Sequence, residues 1–395
     1  MTLHCETPTF HSAKIPFCRT RITDEAQVGA LRVLASGWVT MGAESLAFED
    51  EFANWVGARY AVAVSSCTAA IEMALTALGL PQGSPVLTPT LTFCGAVHAI
   101  VHAGLRPVLI DCDERTLTVS PEGVAAASSR SGATAMVIQH MAGYPVDGEE
   151  LSAAAGISPS NIVEDAAHGL GATLRGALLG AGAGARAACF SFYATKNLPI
   201  GEGGAITTND GELADRLRRM RLHGMSGDAW RRYQPGASWR YTVTEPGMKA
   251  NFTDIQGAIG RAQLHYLDGW QKRRAEIAHL YDEQLADIRG IEPPPRPIAD
   301  QHAWHLYIVR IQPEFRMHRD AVIDALADQG IGTSVHFIPV HHQPYFRRLL
   351  GADQCERLPV ADAVFPEILS LPLHPGMSNR EIARVCTVLR DLSNR

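Results

Sequence analysis

Short segments that are apolar throughout alternate with segments of helical periodicity from about residue 45 onward. In "SLAFEDEFANWV" one face of a helix is formed by Leu46, Phe48, Phe52, Trp55 and Val56. The strand-like segments are "YAVAVSS", "SPVLTPT", "RPVLIDCD", "TAMVIQH", "NIVEDAAH", "ACFSFYA" and "GAITTND". Continuous rather than alternating hydrophobicity indicates strands that are covered on both faces. The sequence therefore predicts an α/β fold with a mostly parallel central sheet.

The alternation weakens after about Leu264. A long helical pattern, "LDGWQKRRAEIAHLYDEQL", leads there to "HAWHLYIVRI", "RDAVIDALADQG" and "GTSVHFIPV". This order of helices and strands is typical of an α+β layout. We therefore predict a large α/β domain with an N-terminal arm over residues 1–264 and a smaller C-terminal α+β domain over residues 265–395.

The composition argues against several classes of protein. The chain of 395 residues is 46% hydrophobic and 19% charged, which is typical of soluble globular proteins. Its formal charge of −6, without a basic run, argues against nucleic acid as a partner. Its apolar stretches are interrupted before the ~20 residues that a membrane helix needs. Eight scattered cysteines without CxxC spacing indicate reduced thiols, and no signal-peptide pattern is visible, so we expect a cytoplasmic protein.

Reactive side chains follow four of the predicted strands. Ligands of parallel sheets gather at the carboxyl ends of the strands, so these side chains are expected to lie close together. In chain order they are Ser65, Ser66, Cys67 and Thr68, then Thr90, Thr92 and Phe93, then Glu164, Asp165 and His168, and finally Ser191, Tyr193 and Lys196.

This set matches the requirements of pyridoxal 5′-phosphate. Hydroxyl residues that open a helix suit a phosphate, and a lysine amine condenses with an aldehyde. A carboxylate such as Asp165 keeps a pyridine nitrogen protonated, and the ring of Phe93 can stack on the cofactor. Each residue alone has an ordinary structural explanation, as a helix cap, a core ring or a surface lysine. The ordered combination favours the cofactor.

Two other motifs have simpler explanations. The glycine-rich segment at residues 180–184 precedes a strand instead of linking a strand to a helix, so we reject it as a dinucleotide loop. His98 and His102 are four residues apart on a helix, and His341 and His342 are adjacent. Without a glutamate-containing zinc motif or a third ligand, packing, rim or substrate roles are favoured, and we expect no metal.

Seven segments resemble, in family order, those of the DegT/DnrJ/EryC1/StrS sugar aminotransferases, from about residue 30 to residue 345. They are "VAVSSCTAAIEMAL", "TPTLTFCGAV", "IVEDAAHGLGA", "SFYATKNLPIGEGG", "LHGMSGDAWRRY", "NFTDIQGAIGRAQL" and "SVHFIPVHHQP". The resemblance implies the aspartate-aminotransferase fold (fold type I) and a homodimer with shared active sites.

The resemblance also implies a role for each matching residue. Lys196 would hold the cofactor as a Schiff base, Asp165 would face the pyridine nitrogen, and His168 would lie near the phenolic oxygen. These three form the implied catalytic set. Phe93 would stack on the ring. The phosphate would be held by Cys67, Thr68 and Ser191, joined by Asn251 of the other subunit.

The activity implied is ping-pong transfer of an amino group from L-glutamate to a ketosugar. Relatives that dehydrate sugars carry histidine where this chain has Lys196, so transfer is favoured. The acceptor is expected to be a nucleotide-linked 4-keto or 3-keto deoxysugar, with Arg231, Arg232 and Arg240 as candidates for its phosphates. A free ketocyclitol as acceptor, or a regulatory protein that binds the cofactor without catalysis, are the alternatives. After Asn251 this chain has Phe252 and Thr253, whereas members of the family often have an arginine or a tyrosine nearby. This difference leaves the recognition of the substrate open.

Overall fold

The computed structural model describes residues 14–182, 184–226 and 240–394. The helices are α1 (Asp24–Ser36), α2 (Ala43–Val56), α3 (Cys67–Ala77), α4 (Cys94–His102), α5 (Pro121–Ser131), α6 (Gly148–Ala155), α7 (Gly211–Met220), α8 (Asp254–Leu264), α9 (Leu267–Leu285), α10 (Arg319–Asp328), α11 (Pro344–Leu350), α12 (Ala352–Cys355), α13 (Pro359–Val364) and α14 (Asn379–Ser393). The strands are β1 (Tyr60–Val64), β2 (Pro85–Pro89), β3 (Arg106–Ile110), β4 (Ala135–Gln139), β5 (Ile162–Asp165), β6 (Thr173–Leu174), β7 (Ala177–Leu178), β8 (Ala187–Ser191), β9 (Gly204–Thr208), β10 (Ile291–Glu292), β11 (Tyr307–Ile311) and β12 (Ile368–Leu371).

The larger sheet has the strand order β1-β9-β8-β5-β4-β2-β3 within the described ranges. The pairings β2–β3, β2–β4, β4–β5 and β5–β8 are parallel, which confirms the predicted mostly parallel sheet. β9 is the exception, because it runs antiparallel to both β1 and β8. The carboxyl ends of the parallel strands and the amino end of β9 therefore share one edge of the sheet.

Both faces of this sheet are covered, as the wholly apolar strands predict. Cys189 of β8 belongs to an apolar cluster with Ile71 of α3, on one face. The next residue, Phe190, points to the opposite face and packs edge-on against Phe52 of α2, with ring centroids 5.3 Å apart. Helices on both faces hold the strand ends, and the residues that follow them, in fixed positions.

A second sheet is formed by β10, β11 and β12, which pair antiparallel. It shares an apolar cluster with α9, α10 and α14, to which Tyr281, Leu326 and Leu389 contribute. Ile15 pairs with Ile331, so the first described residues also pack against this part of the molecule. The predicted long helix is α9, and the α+β layout of the C-terminal region is confirmed. The boundary after residue 264 falls between α8 and α9 and stays a prediction as a division into domains.

A search of the described helices finds none with the length and apolar character that spanning a membrane requires.

Candidate active site

A cavity of about 330 Å³ opens at the edge of the larger sheet where the parallel strands end. Nine of the residues singled out from the sequence line it, although they are far apart in the chain. They are Ser66, Cys67, Thr68, Phe93, Asp165, His168, Ser191, Tyr193 and Lys196. The topology therefore brings together the hydroxyls, the ring, the carboxylate and the lysine that the strand ends supply.

One end of the cavity is the N-terminus of α3. Ser66 caps this helix, and its hydroxyl accepts a hydrogen bond from the backbone N–H of Ala69 at 3.1 Å. A Cβ on Gly204 would lie 2.6 Å from the carbonyl carbon of Ser66 and 2.7 Å from the backbone nitrogen of Cys67. Glycine is therefore required for β9 to begin this close to the start of α3. The first N–H groups of a helix lack partners within it and lie at its positive end. This end of the cavity therefore suits an anion such as a phosphate.

Asp165 is the last residue of β5 and is buried. Its carboxylate accepts hydrogen bonds from the backbone N–H of Ala167 at 3.1 Å and from the thiol of Cys67 at 3.8 Å. Burial raises the pKa of this carboxyl, while the Ala167 N–H and the charge of Lys196 act in the opposite direction. A buried carboxylate of this kind is stabilised by a cation or a protonated nitrogen placed against it.

Lys196 lies in the loop between β8 and β9, half-buried at the cavity wall. The loop is fixed by the neighbouring Asn197, whose amide donates to the carbonyls of Leu170 at 3.1 Å and Ala303 at 2.9 Å. Burial lowers the pKa of the lysine amine to about 8, against the opposing effect of Asp165. A substantial fraction of the amine is therefore neutral near physiological pH, as a nucleophile or a base requires.

Phe93 is exposed over 57% of its surface, although it immediately precedes α4. This exposure excludes the ordinary explanation of a core phenylalanine. The ring lies at the cavity and approaches Phe337 with a centroid distance of 5.9 Å. An exposed ring at this place is available to stack on a planar ligand.

His168 is buried beside the cavity, and its Nδ1 accepts a hydrogen bond from the backbone N–H of Ala142 at 3.3 Å. Burial, together with the charge of Lys196, lowers the pKa of its imidazole well below the usual value. The ring is thus neutral, with its proton on Nε2. It can donate a hydrogen bond from that nitrogen but carries no charge.

Three aromatic residues of the cavity were missed by the sequence analysis. His305 packs against His168 with a centroid distance of 4.4 Å, and its Nδ1 is 3.2 Å from the side-chain oxygen of Asn197. His336 and Phe337 come from the segment "SVHFIPVHHQP", and the Nδ1 of His336 is 2.8 Å from the hydroxyl of Ser370. Burial lowers the pKa of His336 to about 4. Both segments have a strand pattern or a family likeness, but nothing local in them signals contact with the larger sheet.

Asn251 does not line this cavity of its own subunit. Its backbone forms a bridge with Val64 at the end of β1, and its side-chain oxygen accepts a hydrogen bond from the amine of Lys249. The resemblance places this asparagine in the site of a partner subunit, and that role stays a prediction.

The glycine-rich segment and the adjacent histidines both have structural surroundings that explain them. Gly180 follows β7 in a turn, and a Cβ there would lie 2.5 Å from the ring of Phe190, so close packing explains this glycine. His341 and His342 approach a single carboxylate, that of Asp362, and the three could hold a metal ion. No third ligand was visible in the sequence, and Asp362 is a candidate for one. The absence of a metal stays a prediction.

Arg231 and Arg232 lie outside the described residues. Arg240 is described and exposed. The expected role of these arginines in binding the phosphates of a sugar carrier stays a prediction.

The chain was compared with known proteins. The model of the DegT/DnrJ/EryC1/StrS aminotransferase family matches residues 20–390. The spore coat polysaccharide biosynthesis protein SpsC of Bacillus subtilis (strain 168) is 42% identical over 380 residues, which cover 96% of this chain and 97% of the relative. Among solved structures, the sugar aminotransferase CalS13 of Micromonospora echinospora is 29% identical with a TM-score of 0.84, covering 95% of this chain and 99% of its own.

One similar solved structure is known in two forms that differ in the cofactor. The PLP form of Spr1654 from Streptococcus pneumoniae superimposes with a TM-score of 0.86 and 28% identity, covering 96% of this chain and 99% of that protein. A PMP form of the same protein matches with a TM-score of 0.87. The predicted fold class and enzyme class are confirmed by these likenesses. The chain therefore belongs to the DegT/DnrJ/EryC1/StrS aminotransferase family.

Proposed function

We propose that the protein is a pyridoxal-phosphate-dependent sugar aminotransferase that moves an amino group from L-glutamate to a ketosugar by a ping-pong mechanism. One observation carries this proposal. Lys196, with its pKa lowered to about 8, lines the same cavity as the buried carboxylate of Asp165. A protein that only bound the cofactor as a sensor would not need a base beside a carboxylate that keeps the ring nitrogen protonated.

The residues of the cavity fit the cofactor. Its phosphate would bind at the N-terminus of α3, where Cys67 and Thr68 are joined at the cavity wall by Ser191. Asp165 offers a buried carboxylate that a protonated ring nitrogen would neutralise. Phe93 offers an exposed ring for stacking. When bound, the cofactor supplies an aldehyde that accepts an amine and a ring that accepts the electrons of a carbanion. The PLP and PMP forms of Spr1654 support this assignment.

Each side chain has a distinct part in the transfer. Lys196 would hold the cofactor, and its neutral amine would serve as the base that moves a proton from the donor's α-carbon. Asp165 would hold the proton on the ring nitrogen of the bound cofactor. His168, held neutral by burial, can donate a hydrogen bond without adding a second positive charge beside Lys196. In the second half of the cycle the ketosugar takes the amino group by the same steps in reverse.

The sugar as acceptor is supported by the relatives. SpsC is named for the biosynthesis of a spore coat polysaccharide, and CalS13 is named a sugar aminotransferase. Their identities to this chain, 42% and 29%, extend over nearly its whole length. A nucleotide-linked 4-keto or 3-keto deoxysugar is the acceptor we propose, with L-glutamate as the donor and a homodimer as the working unit.

The half-reactions test this function separately. The purified protein with its cofactor is expected to absorb in the visible, and L-glutamate alone should shift that absorbance to the ultraviolet as the cofactor takes the amino group. The protein whose cofactor has taken the amino group is then mixed with a panel of nucleotide-linked 3-ketosugars, 4-ketosugars and free ketocyclitols. Recovery of the visible absorbance is the readout. No spectral change with any amino donor would overturn the enzyme in favour of a cofactor-binding regulator. Recovery with the cyclitols alone would replace the nucleotide sugar as acceptor.

A further inference from the structure

A second cavity, of about 440 Å³, lies against the active-site lysine. It shares Thr195 and Lys196 with the cavity described above, so the loop that carries the lysine forms a wall of both. Four arginines line it, namely Arg19 and Arg21 near the start of the described chain and Arg273 and Arg274 of α9. Among the described residues that line it there is no aspartate or glutamate.

Arg274 is the buried member of this set, with 3% of its surface exposed. Its Nη1 donates to the carbonyls of Trp304 at 3.1 Å and Leu373 at 3.3 Å. Its Nε is buried and has no hydrogen-bond partner among the described residues. Burial lowers the pKa of the guanidinium to about 10, so the group still carries its charge at neutral pH.

The other buried arginines of the described chain are neutralised differently. Arg221 pairs with Glu49, Arg310 with Glu114 and Glu367, and Arg319 with Asp320. Arg274 forms no ion pair with a carboxylate in the described ranges. A buried cation without a counter-ion is strongly destabilising, whereas a guanidinium binds a carboxylate through two parallel hydrogen bonds. The charge of this cavity therefore favours an anion.

We propose that this second cavity is a carboxylate-binding subsite for the amino donor, with Arg274 as its anchor. The proposal rests on the function proposed above. An amino acid donor carries a carboxylate one bond from the carbon whose proton Lys196 moves, so a subsite that shares the lysine as a wall is suited to that group. The phosphates of a sugar carrier are attached at a different carbon from the ketone and lie farther from the reacting atoms.

Binding to the cofactor-free protein tests the subsite without any catalytic step. The probes are glutarate, its neutral diamide glutaramide and inorganic pyrophosphate, with affinity measured by calorimetry and by thermal shift. Glutarate is expected to bind and to raise Tm, whereas glutaramide should do neither. Equal effects of glutarate and glutaramide, or binding of pyrophosphate alone, would overturn the proposal.

Variants then test the anchor. Arg274→Lys keeps the charge but loses the planar fork, and we expect it to weaken glutarate binding at least tenfold and to raise KM for L-glutamate with little change in kcat. Lys272→Met is the matched control, because it removes an exposed cation of the same helix that does not line the second cavity. Unchanged glutarate affinity in Arg274→Lys would refute the anchor. The wild-type ligand series remains decisive if this variant does not fold. Loss of the glutamate-induced spectral change in wild type, with glutarate binding intact, would count against the proposed function and not against a carboxylate subsite.

Discussion

At the scale of single residues, the proposed role of Lys196 makes uptake of the cofactor depend on the protonation of one amine. Burial places the pKa of this amine at about 8, and only the neutral form attacks an aldehyde. Protonation below that pH removes the nucleophile. The rate at which cofactor-free protein captures pyridoxal phosphate is therefore expected to rise with pH through about 8 and to level off above it, as stopped-flow absorbance would record.

The control for this experiment is the site of attachment. Borohydride reduction followed by a peptide map should place the adduct on Lys196. An adduct on Lys249 or Lys272, which are both exposed, would contradict the assignment. A capture rate that rises only near the ordinary pKa of a lysine, about 10.4, would contradict the effect of burial.

Removing the amine of Lys196 distinguishes binding of the cofactor from transfer of the amino group. In Lys196→Ala the phosphate and ring contacts remain, so pyridoxal phosphate should still bind, now without a covalent link. Loss of a general base alone is typically worth ~10²–10⁴ in rate, and loss of the covalent attachment adds to it. Single-turnover transfer from L-glutamate measures the effect. Transfer within tenfold of wild type would show that another group acts as the base.

Asp165→Asn tests the carboxylate. The amide is nearly the same size and can still accept the N–H of Ala167, so the folded state is expected to keep its stability. The neutral amide cannot keep a ring nitrogen protonated, and turnover should fall far more than Tm. Both are measured on one preparation. Near-normal turnover at an unchanged Tm would reduce Asp165 to a residue that only fixes the start of the following turn.

Individual strands and helices were predicted well where a single hydrophobic pattern in the sequence determines the type of element. The wholly apolar segments became β4, β5, β8 and β9, and the helical periodicity of residues 267–285 became α9. The direction of β9 could not be predicted, because a strand covered on both faces is apolar whether it runs parallel or antiparallel. The hairpin of β6 and β7 was missed, since its strands have two residues each and lack a pattern long enough to recognise.

The contact between β9 and the start of α3 gives a prediction at the scale of elements. In Gly204→Ala the added methyl group would lie 2.6 Å from Ser66 and 2.7 Å from Cys67, so the strand and the helix must move apart. Overpacking of this kind typically destabilises a fold by about 1–3 kcal/mol. Because the displaced backbone forms the proposed phosphate site, affinity for pyridoxal phosphate should fall as well. Urea unfolding and a cofactor titration measure the two effects.

Gly269→Ala is the matched control. A Cβ at this position in α9 meets no atom within 4 Å, and alanine favours a helix more than glycine does. Stability should be unchanged or slightly raised, and cofactor affinity unchanged. If Gly204→Ala behaved like this control, the close approach of β9 to α3 would not be what shapes the phosphate end of the cavity.

On the scale of the whole molecule, the candidate active site combines residues from the regions of the two sheets. Asp165 and Lys196 belong to the larger sheet and its loops, and these were found from the sequence because each lies at or just beyond the end of a strand. His305 and His336 come from the region of the smaller sheet. They could not be found in this way, because packing between distant segments leaves no periodic pattern in either one.

The proposed dimer gives the last prediction, in which Asn251 reaches the phosphate bound by its neighbour. Lys196→Ala inactivates the site built by its own subunit, and Asn251→Asp would place a carboxylate against the phosphate of the partner's site. In a mixed dimer both defects then fall in one site and the other is intact. Re-associating the two inactive variants should recover roughly a quarter of wild-type activity, since about half of the dimers are mixed and each has one good site.

The mixing experiment gives a different result if Asn251 does not reach the site of the partner subunit. If Asn251 acts within its own subunit, every site carries one defect and mixing restores no activity. Each variant re-associated with itself serves as the control, and size-exclusion chromatography verifies that dimers form again. Recovery near zero, with dimers present, would leave Asn251 as a residue that only packs at the end of β1.

The antiparallel direction of β9 has an entropic consequence. Because β8 ends and β9 begins at the same edge, the segment of residues 192–203 leaves the sheet and re-enters it at one place. It is closed by hydrogen bonds from Phe192 N–H to the Gly203 carbonyl and from Ile200 N–H to the Phe192 carbonyl, each 2.9 Å long. A segment tied at both ends loses most of its backbone freedom when the protein folds. The lysine that we propose as the reactive one is thus oriented once, during folding, whereas a free-ended segment would have to be ordered again in every catalytic cycle.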